Sequence, residues 1–244
     1  MKTTDFIIPQ WPAPDNIHCA ITTRDGGVSL EPFSSFNLAT HVNDDTSNVL
    51  NNRKLLSQKL KLPSEPVWLN QVHSNVVVNA ADNNLNINAD ASFSDKANIV
   101  SIVMTADCLP VLFTNLEGTV IAAAHAGWRG LLNGILENTL AKMAVAPEKI
   151  IAYLGPAIGP NSFEVGEEVK QQFTAENSQT KSAFIKCKDN KFLADIYQIA
   201  RLRLYSAGIK NIYGGGLDTM TDPRFYSYRK QSITGRMASL IWFT

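Results

Sequence analysis

Apolar positions along the chain fall into short, near-continuous runs separated by polar loops, with two stretches of clear helical spacing. Residues 17–22 (IHCAIT) read as a strand, and Asp25-Gly26-Gly27 just beyond marks a tight turn. Asp44-Asp45-Thr46-Ser47 is a helix start, followed by Val49, Leu50, Leu56 and Leu60 and an end near Lys61 before Pro63. Residues 66–73 predict a strand running into a polar edge, Val76-Val77-Val78 a second short strand, and the Asn- and Asp-rich residues 80–90 a surface loop. Runs 99–104 and 109–114 are almost wholly apolar, which suits strands buried on both faces. Asn115-Leu116-Glu117-Gly118 then connects 109–114 to a third run, TVIAAAH, as a hairpin loop would.

Residues 130–143 predict one helix with Leu131, Ile135, Leu136 and Leu140 on one side, and 150–154 a strand after Pro147. Gly155-Pro156-Ala157-Ile158-Gly159-Pro160 is a stiff loop, and 165–175 a short helix. The clearest helix is 195–207: Asp195 stands at its start, Ile196, Ile199, Ala200 and Leu204 form a stripe, and Gly208 fits a left-handed cap. Asn211-Ile212-Tyr213 leads into Gly214-Gly215-Gly216, and the apolar end, 237–243, predicts a strand tied into the core. Strands and helices follow one another without a regular βαβ rhythm, a repeat or a linker, so the pattern predicts one α+β domain over 1–244.

Composition narrows the function classes. Of 244 residues 45% are hydrophobic and 18% charged, ordinary for a soluble globular protein. Lys plus Arg, at 22, equals Asp plus Glu, at 22, so no global field recruits nucleic acid or an anionic membrane. No apolar run approaches the ~18 residues that would span a bilayer. MKTTDFIIPQWPAPD is broken by Pro9, Pro12 and Pro14 and lacks the apolar core of a signal peptide. Three cysteines without paired spacing argue for a reducing compartment, and a cytoplasmic protein is expected.

With four histidines each can be weighed. His73 and His125 lie where an apolar run meets a small or polar loop, and Cys108 has the same setting between Thr-Ala-Asp and Pro110. Pairing the two runs brings Cys108 and His125 together at one sheet edge. Two imidazoles and a thiolate suit a zinc site with an open fourth position, a blue-copper centre, or a Cys nucleophile with a His base. Ligand type does not separate these. Four histidines with no His-x-His pair cannot furnish a multicopper cluster, so at most one His2Cys centre is possible, and the zinc base-deaminase signature is absent. Arg24, Asp107, Arg129, Arg229 and Arg236 are the charged residues near this candidate site. Arg129 and Arg229 follow aromatics in tight loops and could hold a phosphate or carboxylate bidentately, or merely pin their loops. Asp107 could orient a ligand or cap a loop. Cys19 is expected in the core, Cys187 to be inert, and His41 to be structural.

Several blocks resemble the YfiH family. They are Thr22-Arg24-Gly26-Gly27-Val28-Ser29 with Asn37-Leu38 and His41-Val42, Gln71-Val72-His73, Asp90-Ala91, TADCLP around Cys108, and HAGWRG from His125. Gly155–Pro160, Glu164-Val165-Gly166, Tyr226-Ser227-Tyr228-Arg229 and Thr234-Gly235-Arg236 extend the likeness over nearly the whole chain. The resemblance implies layered mixed β-sheets flanked by helices and a metal site on His73, Cys108 and His125, which would also be the catalytic residues. It implies phosphorolysis of adenosine, inosine, guanosine and methylthioadenosine, deamination of adenosine, and zinc, with a copper-dependent polyphenol oxidase as the alternative. Arg24, Asn37, Arg129 and Arg229 are then the expected substrate-binding residues, purine nucleosides and phosphate the partners, and a monomer the expected state. One departure is visible: relatives often carry Cys before Thr219, where this chain has Asp218.

Overall fold

The computed structural model describes residues 6–82 and 87–244, so residues 1–5 and part of the loop expected at 80–90 lie outside the described residues. One sheet holds, in spatial order, β1 (Phe6–Ile7), β2 (Ile17–Thr22), β13 (Met237–Phe243) and β5 (Ser101–Thr105), all antiparallel. A second holds β12 (Asn211–Gly214), β8 (Ile150–Leu154), β6 (Leu109–Asn115), β7 (Ile121–Ala126), β4 (Ala91–Ser94) and β3 (Val77–Asn79). Its outermost pairs are parallel and its inner ones antiparallel, a mixed sheet. The two sheets pack face to face through Ile21, Val103 and Ile241 on one side and Leu112, Ile121 and Tyr153 on the other.

Helices close both outer faces. On the first sheet α1 (Thr46–Leu60) lays Leu56 against Ala20, Ile102 and Leu240. On the second, α2 (Trp128–Leu132), α3 (Ile135–Met143), α4 (Glu167–Glu176) and α5 (Ile196–Ser206) pack Leu131, Ile135, Val169 and Ile199 over Val111, Phe113 and Ala152. A small sheet of β10 (Phe184–Lys188), β11 (Lys191–Ala194) and β9 (Glu164–Gly166) completes that side. Every residue of β6, β7, β5, β8 and β13 is buried, as a strand covered on both faces must be, and this explains their near-continuous apolar runs. The fold is thus the expected α+β arrangement of layered mixed sheets flanked by helices.

The expected elements differ in informative places. Asp45 caps α1 by accepting from the backbone N–H groups of Ser47 and Asn48, and Lys61 ends it in a left-handed conformation. Leu50 is exposed, and its expected place on the buried face goes to Asn52, which donates to Ser29, Ser35 and Asn37 and accepts from Val28. The helix expected over 130–143 is two helices, because Gly134 takes φ +84° between α2 and α3. Residues 66–73 make only isolated bridges at Val67 and Asn70 instead of a strand. There the Gln71 side-chain amide replaces backbone pairing: its Nε2 donates to Met104 O (2.8 Å) and its Oε1 accepts from Met104 N (2.7 Å). The strand β4 is only four residues of Ala-Ser-Phe-Ser alternation directly after the Asn- and Asp-rich stretch, too short to stand out from it, and β9 precedes α4 where only a helix was expected.

Candidate metal and substrate site

The β6–β7 hairpin sets the site. Its register pairs Leu109 with Ala126 and Pro110 with His125, so Cys108, one residue before β6, stands beside the end of β7. His73 arrives from the Gln71-anchored segment in a left-handed turn (φ 60°), and Asp107 holds φ 89° next to Cys108. Non-glycine residues in this region are uncommon and gather where a site dictates the backbone. The Cys108 Sγ lies 3.7 Å from His73 Nε2, the two imidazole rings stand 4.8 Å apart at 71°, and the potential ligand atoms of all three residues lie within 4.8 Å of one another. Gly127 makes this approach possible, because a Cβ there would come within 2.9 Å of the His73 ring and 3.0 Å of the Cys108 sulfur.

Asp90, fully buried, ties the histidines together. Its Oδ1 accepts from His125 Nδ1 (2.8 Å) and His73 N (3.0 Å), and its Oδ2 from Ser74 N (2.6 Å), Ser74 Oγ (2.7 Å) and Val72 N (3.3 Å). Burial opposes the Asp90 charge, but the hydrogen bonds from His125 and Ser74 outweigh it and hold its pKa below the usual value. With Nδ1 of His125 committed to Asp90, Nε2 is the nitrogen left to face Cys108 and His73. Burial alone would raise the Cys108 thiol; the charge and hydrogen bonds of His125, with those of His73, reverse this and bring it down to about 6. Burial likewise pulls His125 down, and the Cys108 thiolate and Asp90 more than compensate, taking it up to about 9.

This donor set fits a metal ion. A thiolate and an imidazole bound to one tetrahedral zinc sit roughly 3.5 Å apart at ordinary bond lengths, close to the 3.7 Å seen here. The carboxylate–histidine pairing of Asp90 and His125 is the support that metal-binding histidines receive.

The three residues line a cavity of about 390 Å³, which also draws Arg129, Arg229 and Arg236 to its wall, together with His41, Gln71 and Tyr228. Arg129 is exposed and lies over Trp128, 4.3 Å from its ring centre. Arg229 pins a loop, donating from Nη1 to Glu164 O (3.0 Å), and also lines the cavity. Arg24 and Asn37 are not brought there: Arg24 donates to Ser34 O (2.9 Å) and faces Tyr226, and Asn37 is buried, accepting from Ala39 N and Arg236 N. Asp107 is a tether, with Oδ1 accepting from Thr219 Oγ1 (2.6 Å), Oδ2 from Arg229 N (2.6 Å), and its carbonyl from Ile158 N (2.9 Å). His41, expected to be structural, lines the cavity. Arg236 follows a glycine in a tight loop, and Gln71 stands two residues before His73; these were the signals available for them. Asp218 accepts from Gly159 N, Met220 N and Ser162 Oγ and so organises the loop beside the site, while Gly159 leaves room for it.

Residues 18–244 match the family described as multi-copper polyphenol oxidoreductase laccase. The Escherichia coli (strain K12) protein named purine nucleoside phosphorylase YfiH is 51% identical over 239 residues, covering 97% of this chain and 98% of the relative. The chain belongs to the YfiH family. A Haemophilus influenzae relative, named purine nucleoside phosphorylase, is 49% identical over 240 residues, covering 97% of this chain and 98% of its own length. A Neisseria meningitidis protein of known structure superposes with a TM-score of 0.95 at 48% identity, covering 98% and 99% of the two chains. The structure of YlmD from Geobacillus stearothermophilus gives 0.90 at 27% identity, covering 100% and 97%.

The two names attached to the YfiH family point to different chemistries. All four histidines and three cysteines of this chain lie among the described residues, and one group of them gathers: His73, Cys108 and His125. His18 contacts Thr244, Cys19 is buried with its thiol pushed up to about 12 by burial, and Cys187 is exposed and unpaired. This YfiH-family chain therefore offers a single His2Cys centre.

Proposed function

We propose that the chain is a cytoplasmic, monomeric purine nucleoside phosphorylase acting on adenosine, inosine, guanosine and methylthioadenosine, which also deaminates adenosine and holds zinc on His73, Cys108 and His125. The observation that carries this reading is the gathering of one His2Cys ligand set and three arginines around a single cavity. The names of the relatives support the substrate class. A cavity of about 390 Å³ suits a small molecule. No helix among the described residues is long and apolar enough to cross a membrane, and the balanced net charge favours a small-molecule substrate over nucleic acid.

In phosphorolysis the bond from the sugar's anomeric carbon to the purine nitrogen breaks, its electron pair leaving with the base. A phosphate oxygen bonds to that carbon, and the phosphate proton ends on the base. Arg129 and Arg229 supply cations for the phosphate and for the charge that spreads as the base departs. Trp128, Phe163 and Tyr228 give the cavity apolar faces against which a purine can lie. Asp107 holds the Arg229 backbone against the Cys108 turn, so cation and ligand set keep a fixed spacing. Deamination exchanges the purine amino group for a water oxygen and releases ammonia. Zinc held by the three residues would supply Lewis acidity and make water nucleophilic near neutral pH.

Copper-dependent polyphenol oxidation is the second reading, favoured by the family description and by a His2Cys set that also suits copper. One assay separates the two. Purified protein is incubated anaerobically with adenosine or inosine, with and without phosphate, and the products are resolved. Free base and ribose 1-phosphate formed only with phosphate support the phosphorylase. Intact nucleosides, with phenols oxidised only in the presence of copper and oxygen, support the oxidase and refute the proposal.

A further inference from the structure

Among the three arginines of the cavity, Arg236 differs in how its guanidinium is spent. Its backbone N–H donates to Asn37 Oδ1 (3.0 Å), and Nη1 donates to the carbonyls of Thr234 (2.9 Å) and Gly235 (3.0 Å). Those bonds use the nitrogen on the Cδ side of the group. The opposite edge, formed by Nε–H and Nη2–H, is the fork that grips two oxygens of an anion at once, and among the described residues Arg236 donates only from its backbone N and Nη1. Among the described residues no carboxylate pairs with Arg236. Asp107 lines the same cavity, but both its oxygens are engaged by Thr219 and Arg229.

The position is also rigid. Gly235 packs so tightly that a Cβ there would come within 2.7 Å of the Tyr226 ring and 2.9 Å of Asn37. Asn37 in turn is held by Ala39 and Asp44. Burial pushes the Arg236 pKa down, and the coulombic attraction of Cys108, Asp107 and Tyr228 opposes this without cancelling it, so a half-buried cation is left under-compensated. Arg129, by contrast, is exposed, and Arg229 has one arm on a carbonyl of another loop.

We infer that the free Nε–Nη2 edge of Arg236, locked by Asn37 and its own loop carbonyls, is the principal phosphoryl-anion subsite of the cavity. The inference rests on the phosphorylase reading for its co-substrate and deepens it: Asn37, which reaches no cavity surface itself, acts as a positioning residue for the cation. The anion is either inorganic phosphate or the phosphoryl group of a nucleotide, which present the same oxygens.

The test uses zinc-loaded full-length protein, Arg236→Gln and Arg236→Lys. Inosine phosphorolysis is measured with phosphate and inosine varied separately, and melting is followed with inorganic phosphate alone and with AMP against adenosine. Arg236→Gln should raise the phosphate KM roughly 10- to 100-fold, the weight of a charge-assisted bidentate contact, with the inosine KM within about twofold. The lysine variant, which keeps charge without the fork, should fall between, and it carries the test if the glutamine variant does not fold. Phosphate should raise the Tm of the wild type and not of Arg236→Gln. Greater stabilisation by AMP than by phosphate or adenosine, lost in the variant, would assign the subsite to a nucleotide. A metal-replete Arg236→Gln with wild-type phosphate KM and phosphate-induced Tm shift overturns the inference and leaves the phosphorylase reading standing. An Arg236-dependent shift without any nucleoside cleavage supports the subsite and overturns the reading instead.

Discussion

Replacing Asp90 by asparagine tests how the metal ligands are held. Five donors converge on the two carboxylate oxygens: His125 Nδ1 and His73 N on one, and Ser74 N, Ser74 Oγ and Val72 N on the other. Asparagine offers one oxygen, so in either orientation its amide nitrogen confronts at least two donors. The Ser74 hydroxyl can rotate to accept, whereas a backbone N–H cannot. With the amide towards His125, the imidazole regains a bond only by moving its proton to Nε2, the nitrogen needed for a metal. One or two stranded, part-buried donors at about 1–3 kcal/mol each predict a loss of about 1–6 kcal/mol in folding stability of the metal-free protein. Loss of a carboxylate behind a histidine ligand weakens metal binding ~10- to 100-fold. Zinc competition against a chromogenic chelator measures the second quantity and thermal melting of stripped protein the first. An Asp90→Asn protein with zinc affinity within about twofold of wild type would refute the argument that this carboxylate sets the ligand geometry.

Two further outcomes follow from the same geometry. Gly127→Ala keeps a backbone conformation (φ −64°, ψ 162°) that alanine adopts freely, so its cost is the collision with His73 and Cys108; zinc affinity should fall about tenfold or more, with an overpacking loss of about 1–3 kcal/mol on melting. Wild-type metal affinity in this variant would show that the ligands have slack the structure denies. In metal-free protein the Cys108 thiol, brought down to about 6, should stay reactive to iodoacetamide from pH 8 to pH 7. Its reactivity should be lost only as pH falls through about 6, because a depressed pKa preserves the thiolate at lower pH. Mass spectrometry of the Cys108 peptide against pH measures this, and a midpoint above 8 would contradict the imidazole pairing.

How much of this was legible in the sequence depends on whether a residue's neighbours were local. Cys108 and His125 sit at the ends of two apolar runs joined by a short loop, so pairing the runs was enough to bring them together. His73 was found by residue type, but its segment was misread as a strand, because Gln71 supplies through a side chain the pairing that a strand supplies through its backbone. Asp90 lies at the end of an Asn- and Asp-rich stretch where no periodicity distinguishes one carboxylate from its neighbours. Its role exists only once β4 lies beside β7. The break between α2 and α3 turned on the left-handed conformation of Gly134, which a helical stripe continuing through Ile135 concealed. Arg24 and Asn37 were grouped with the site because they share a block of motif residues. In the fold that block becomes a buried network of Ser29, Asn37, Asp44 and Asn52, and its link to the cavity runs through the Arg236 backbone. The wall of the cavity joins residues from opposite ends of the chain, a juxtaposition no local pattern encodes.

The most direct test of the central claim is to strip the protein of metal, titrate it with zinc or copper, and follow ribose 1-phosphate release from adenosine and phosphate without oxygen. Activity should return with zinc, saturate at one ion per chain, be indifferent to oxygen, and be absent from His125→Ala. Phosphorolysis that survives complete metal removal would contradict that claim, as would activity that returns only as oxygen-dependent phenol oxidation with copper.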